Sequence, residues 1–323
     1  MEVQTKVAAL FFPGLRAGIL GGMCLLAVLM LFGRAAGAQE DVIDLSDLSP
    51  PPAPPPSEVP PLRVAVSNVL SPQGTVESYG LLLKYLGDKM NRPIELVQRR
   101  TYLETNELIR ASEVDLAFVC TSSYVVGHEQ FGMQLLAVPV VHGATTYHAV
   151  LIVHHNNPAE SMEDLKGSIF AFTDPLSHTG HNYPKFLIRQ LGETPESFFG
   201  KTIYTYSHDT ALQAVADGSV DAACLHSIVL GFALKRDPKL AGKIKQIHQS
   251  PPFGMPPVVI GPGVDPALVA QLREILIGMK DDPEGKRALA LIDYDAFVTI
   301  EDKAYDSIRV IFRAVGVLET PEP

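Results

Sequence analysis

From Leu62 onward, short apolar runs alternate with stretches whose apolar residues recur at helical spacing. LRVAV (Leu62 to Val66) alternates and is rich in β-formers, and the following segment keeps helical spacing through SYGLLLKYLGDKM to Met90. IELVQR predicts a second strand, Thr101 and Tyr102 open the helix TYLETNELIRA, and VDLAFVC (Val114 to Cys120) is a continuous apolar run of the kind buried in a parallel sheet. Strand, helix, strand, helix, strand is the pattern of a doubly wound α/β fold. TSSYVVGHEQ then begins a helix on hydroxyl residues, and LLAVPVV and HAVLIVHH are apolar runs separated by GATTY.

The design then repeats. MEDLKG reads as a short helix, SIFAF as a strand, and DPLSHTGHNYP as a turn into the helix KFLIRQLG. TIYTYSHD precedes the helix ALQAVADG, and VDAACLH (Val220 to His226) is another buried strand. VDLAFVC and VDAACLH are equivalent devices, each placing a cysteine toward the carboxyl end of a strand, where open α/β sheets bind ligands. KIKQIHQS and PPVVIG predict further strands. The tail segments DPALVAQLREILIGM, GKRALALI, DAFVTI and KAYDSIRVIFRAV are expected to be helices packed on the first lobe.

The N-terminal region has a different character. Lys6 and Arg16 precede an apolar run from Ala17 to Gly33, followed by Ala36, Gly37 and Ala38, so residues 1–38 read as a secretory signal with a small-residue cleavage site or, uncleaved, as a membrane anchor. Residues 39–61, QEDVIDLSDLSPPPAPPPSEVPP, are acidic and then proline-rich and are expected to be an extended spacer.

Composition narrows the function. With 46% hydrophobic and 19% charged residues in 323, the chain can bury the cores of two lobes. A formal charge of −10 and the lack of a Lys/Arg cluster argue against a nucleic-acid or anionic-membrane partner. Cys24, Cys120 and Cys224 are too few for a disulfide scaffold, and no Cys/His spacing suits a metal site, so no cofactor is expected. His142, His154 and His155 lack spaced partners and are expected to be structural or surface residues rather than metal ligands.

The chemistry concentrates in Asp174 to Pro184. A strand ending in a hydroxyl-rich turn that opens a helix leaves backbone N–H groups unpaired at the positive end of the helix dipole. Ser177 and Thr179 add hydroxyls and Gly180 lets the backbone approach a bound group, so the turn is either an anion cradle or an ordinary helix cap.

From about Leu62 to Val315 the chain resembles the phosphate, phosphite and phosphonate family of periplasmic solute-binding proteins of ABC transporters. The resemblance rests on LRVAV, Tyr102, VDLAFVCTSSYV, DPLSHTG, SHDTALQAVADGSVDAA and HQSPPFGMPPVVI. It implies an α/β, type II periplasmic binding protein whose lobes close over a ligand without catalysis. Lobe 1 would be 62–147 plus 251–323, and lobe 2 would be 148–250. Ser177, His178, Thr179 and Gly180 match the oxyanion loop and Tyr102 a tyrosine of the opposite lobe. Thr121, Ser122 and Ser123 lie at a second helix start, and His208 matches a ligand-contacting histidine. The implied partners are a small oxyanion and a permease or a membrane sensor kinase, and the implied state is a monomer.

Departures from the family pattern bear on the ligand. Aminoalkylphosphonate binders carry carboxylates where this chain has LHSI and FGMPP, so an ammonium would be buried unpaired and phosphite, phosphate or a simple phosphonate fits better. Cys120 is either a small buried hydrophobe or a soft ligand for a thiophilic oxyanion, as in arsenite-sensing relatives. A Cys120–Cys224 disulfide across a cleft is not expected. Cys120 as nucleophile with His208 as base is the enzymatic alternative, and no hydrolase or transferase motif accompanies it.

Overall fold

A computed structural model describes Val59–Glu319. The expected leader and nearly all of the expected spacer lie outside these residues. In chain order the first elements are β1 (Leu62–Val66), α1 (Pro72–Met90), β2 (Ile94–Val97), α2 (Tyr102–Arg110), β3 (Leu116–Phe118), α3 (Thr121–Phe131), β4 (Gln134–Val140), β5 (Thr146–Tyr147) and β6 (Ala149–His154). Then come β7 (Ile169–Phe172), α4 (Tyr183–Gln190), α5 (Pro195–Phe198), β8 (Lys201–Tyr204), α6 (His208–Ala216), β9 (Ala222–His226), α7 (Ser227–Arg236) and β10 (Ile244–Gln249). The chain closes with β11 (Phe253–Gly254), β12 (Val258–Ile260), α8 (Pro266–Gly278), α9 (Pro283–Leu291), β13 (Ala296–Val298) and α10 (Asp306–Ala314).

These strands form a six-stranded sheet ordered β13-β4-β12-β3-β1-β2 and a five-stranded sheet ordered β10-β6-β9-β7-β8. In the first, β1 runs parallel to β2 and β3 while β12 is antiparallel to β3 and β4; in the second, β7 is parallel to β8 and β9 while β6 is antiparallel to β9 and β10. Both sheets are therefore mixed. The chain crosses between them twice, and the crossing segments pair as β5 with β11, Tyr147 opposite Phe253. This is the type II two-lobed α/β arrangement.

Local sequence accounts for the helices that frame the cleft. Ser71 caps α1 by accepting from the Gly74 amide, Pro72 occupies its first turn, and Leu82, Leu83, Leu86 and Met90 bury one face against the first sheet. Thr101 and Glu104 cap α2 reciprocally, fixing the backbone of Tyr102 at its first turn.

Several expectations need correction. DAFVTI is not helical: Ala296–Val298 is edge strand β13, held by pairing Ala296 with Val140 and Val298 with Val138. α10 does not pack on the first lobe alone, because Phe312 also reaches the second-lobe turn at His178, ring centroids 5.7 Å apart. Cys224 is not at the end of its strand. It sits in the middle of β9 opposite Leu151, with Leu225 and His226 beyond it, and is fully buried. SIVLGFALKR forms α7, an element the apolar pattern did not single out.

Candidate functional site

The turn after β7 is a short π-helical segment, His178–Asn182, that runs into α4. Ser177 is its cap, and its Oγ accepts from the Gly180 amide at 3.0 Å. The Thr173 amide donates to the Gly180 carbonyl at 3.1 Å, drawing the turn back onto the strand end. A Cβ on Gly180 would lie 1.8 Å from Thr173 Oγ1 and 2.7 Å from Thr173 Cβ, so only glycine fits this approach.

The opposite wall comes from α2 and α3. The Tyr102 amide donates to Asp174 Oδ2 at 3.0 Å, bridging the lobes, while Asp174 Oδ1 accepts from Leu176 at 2.8 Å. Burial raises the Asp174 carboxyl above its usual range, and these two amides oppose that rise. Cys120 is the N-cap of α3 but makes no capping bond; its Sγ lies 3.3 Å from Ser122 Oγ. Thr121 Oγ1 donates to the Gly254 carbonyl at 3.2 Å, and Ser122 Oγ donates across the lobes to the Leu176 carbonyl. The hydroxyls of Thr121 and Ser122 are thus engaged by the protein, whereas that of Ser123 has no protein partner.

The same is true of Tyr102 Oη, Tyr147 Oη, Thr179 Oγ1, Thr173 Oγ1 and both ring nitrogens of His178, all of them buried. Tyr102 Oη lies near the Ser177 hydroxyl without meeting hydrogen-bond geometry. Tyr102 and Tyr147 both interact electrostatically with the Cys120 thiol, which the His178 backbone N–H also faces. Orphaned buried polar groups each cost about 1–3 kcal/mol, so this many make the region a candidate binding site.

His208 joins the group indirectly. Its Nδ1 accepts from the His226 amide at 3.3 Å, and the His226 ring stacks on Tyr147 with centroids 4.0 Å apart. Tyr147, Asp174 and His226 were not singled out by sequence. The available signals were the tyrosine ending GATTY, the aspartate opening the turn and the histidine ending VDAACLH.

The imidazole, phenol and thiol groups of the site are held neutral. Burial lowers His178 to about 3 and His208 to about 4, and it drives His226 well below the usual imidazole range. Burial likewise raises the Tyr102, Tyr147 and Cys120 side chains, keeping them protonated. Among the described residues, no lysine or arginine makes a hydrogen bond or ion pair to any of these groups, and no cluster of three or more His, Cys, Asp or Glu suits a metal. Cys120 and Cys224 are both free.

The lobes also meet outside the site. Asp209 accepts from the Ser71 amide at 2.9 Å and from its hydroxyl at 2.6 Å, Asn68 Nδ2 donates to the Tyr206 carbonyl at 3.1 Å, and the His208 amide donates to the Val69 carbonyl at 2.9 Å.

Residues 64–305 match the family model described as the periplasmic phosphonate-binding protein of ABC transporters. The chain belongs to this family. It is 24% identical over 261 residues to the phosphate-import protein PhnD of Mycolicibacterium smegmatis, covering 74% of this chain and 81% of that protein. A binding-protein component of an ABC phosphonate transporter from Pseudomonas aeruginosa has a TM-score of 0.75 at 21% identity, over 80% of this chain and 87% of the other. PhnD1 of Prochlorococcus marinus, solved with methylphosphonate, has a TM-score of 0.72 at 20% identity, over 80% and 98%. Members of this family are periplasmic substrate-binding proteins of ABC transporters, which bind their substrates and carry out no catalysis. No helix among the described residues is long and apolar enough to cross a membrane.

Proposed function

We propose that this chain is an exported receptor whose lobes close over one small phosphorus oxyanion: phosphite, phosphate or a simple phosphonate. The reading is carried by the gathering of unpartnered donors from both lobes, with Tyr102 on one side and His178 and Thr179 on the other. The names of the relatives, one importing phosphate and one solved with methylphosphonate, agree with it. Because the donors are neutral and no cation is paired with them, the site favours the least charged form of such a ligand. Its partner is a transporter permease or a membrane sensor kinase, and residues 1–38 are the export signal or anchor.

Ser177→Ala removes the acceptor that holds the Gly180 amide. Loss of this cap is expected to loosen the turn and weaken oxyanion binding by about 0.5–2 kcal/mol, measured by calorimetry.

One observation favours a second ligand class. The buried Cys120 thiol stands at the head of α3, 3.3 Å from Ser122 Oγ and facing the His178 amide, which suits arsenous acid, a thiophilic oxyacid that is uncharged at neutral pH. Calorimetry with phosphite, phosphate, methylphosphonate and arsenite in buffers of different ionisation heat separates the two. A phosphorus oxyanion raises the pKa of His178 or His208 and so takes up protons on binding near pH 6, and its affinity rises as pH falls from 7 toward 6 for a fixed ligand charge. Arsenous acid binds without proton uptake. Arsenite binding that Cys120→Ser abolishes, with no heat from the phosphorus compounds, would replace the first reading with the second.

A further inference from the structure

Direct contacts between the lobes gather on one short stretch, Tyr206 to Asp209, where β8 gives way to α6. The Tyr206 carbonyl accepts from Asn68 Nδ2 at 3.1 Å, and the Tyr206 ring lies under the Arg100 guanidinium at 4.4 Å. The His208 amide donates to the Val69 carbonyl at 2.9 Å. Asp209 Oδ1 accepts from the Ser71 amide at 2.9 Å and Oδ2 from the Ser71 hydroxyl at 2.6 Å, which sets a carboxylate at the positive end of the 19-residue helix α1.

The stretch is braced from within its own lobe. Tyr206 has a φ of 60°, in the left-handed region that a bulky side chain enters only when its surroundings hold it there. Its amide donates to the Thr173 carbonyl at 3.3 Å, Thr205 Oγ1 donates to the Ser207 carbonyl at 3.0 Å, and Ser207 Oγ donates to Thr210 Oγ1 at 2.6 Å. Thr173 is also the residue whose amide holds the Gly180 carbonyl, so this stretch and the oxyanion turn hang from the same residue at the end of β7.

We propose that Tyr206 to Asp209 is a latch that holds the two lobes together before a solute enters, so that the ligand selects a closed form the protein already populates. The inference goes beyond the oxyanion reading, because the latch joins protein groups only and acts whichever solute the cleft takes. Two aspartates of lobe 2 then sit at the heads of two lobe 1 helices, Asp209 at α1 and Asp174 at the Tyr102 amide of α2. Hydrogen bonds to a charged acceptor outweigh neutral ones, so Asp209 is the strongest member of the latch. A solute enters through the open form and its apparent affinity scales with the closed fraction, so a loosened latch speeds release.

The test is amide hydrogen exchange on the ligand-free full chain, the parent against Asp209→Ala and Arg100→Ala. Arg100 is exposed in a turn of lobe 1, so its replacement leaves both cores untouched. In the parent, the His208 and Tyr102 amides, each bonded across the lobes, should be protected. In Asp209→Ala both should exchange about tenfold faster or more, the loss of one hydrogen bond to a charged group, while core amides of β1 and β9 keep the parent's rates. Arg100→Ala should accelerate the same two amides about two- to fivefold, the value of an exposed cation–π contact. The Tyr102 amide bonds to Asp174 and not to Asp209, so its response to Asp209→Ala reports lobe opening and not a local gap. A second arm measures phosphite kinetics by stopped flow: release from Asp209→Ala should be about tenfold faster or more, with no slowing of association. Parent amides that exchange as freely as exposed loop amides, or acceleration confined to His208, would overturn the latch. Phosphite release unchanged by Asp209→Ala would overturn its control of binding. The exchange arm needs no ligand, so it decides the latch even where phosphite fails to bind and the oxyanion reading falls.

Discussion

Lowering the pH from 7 to 5 is expected to cost the ligand-free protein about 4 kcal/mol of folding stability through His178 and His208 alone. Both rings are buried and neutral, titrating near about 3 and about 4 in the folded protein against about 6.5 unfolded. Between those values the unfolded chain binds more protons, so stability falls as pH drops below the unfolded value and stops falling near the folded ones. His181, lowered to about 4, and His226 act in the same direction, each lowered chiefly by burial. Asp174, raised by burial, acts oppositely and offsets part of the loss. Urea unfolding at the two pH values measures the sum, and a saturating oxyanion should shrink the loss because it favours the protonated imidazoles. Equal stabilities at pH 7 and pH 5 would show that these rings are not held neutral.

Gly180→Ala is expected to damage both folding and binding. The new methyl group would meet Thr173 Oγ1 at 1.8 Å, and the turn cannot easily retreat because the Thr173 amide and Gly180 carbonyl are bonded at 3.1 Å. Overpacking of this kind costs about 1–3 kcal/mol of stability. The displaced turn would misaim Thr179 and the His178 amide, and losing two hydrogen bonds to a charged ligand corresponds to a weakening of about a hundredfold or more. Thr173→Gly removes the crowding atoms, so the double variant should recover binding relative to Gly180→Ala, read by calorimetry and thermal melting. A Gly180→Ala protein that binds normally would mean that the turn does not contact the ligand.

Much of this architecture was legible in the chain. The framing helices announce themselves because one face must be apolar, as with Leu82 and Leu86 of α1, and because their caps are local in sequence. β13 was misread because its identity depends on pairing with β4, more than a hundred residues away, while a three-residue apolar segment carries no period of its own. Within the site, Tyr102, Ser177, Thr179 and Cys120 stood out through hydroxyl and thiol chemistry at predicted strand ends. Tyr147 and His226 did not, because their roles arise where a crossing segment meets the end of β9, a juxtaposition created only by the fold. The choice between helix cap and cradle was also closed to sequence. Ser177 does cap the turn, and the close packing of Gly180 against Thr173 and the orphaned hydroxyl of Thr179 are three-dimensional facts.

The central claim is that one ligand is gripped from both lobes at once. Titrating phosphite or methylphosphonate into Tyr102→Phe and into Thr179→Ala, one substitution per lobe, tests it directly. Each variant should fold as the parent does and bind about ten- to a hundredfold more weakly, the cost of losing one hydrogen bond to a charged group. Unchanged affinity in both variants would contradict the claim.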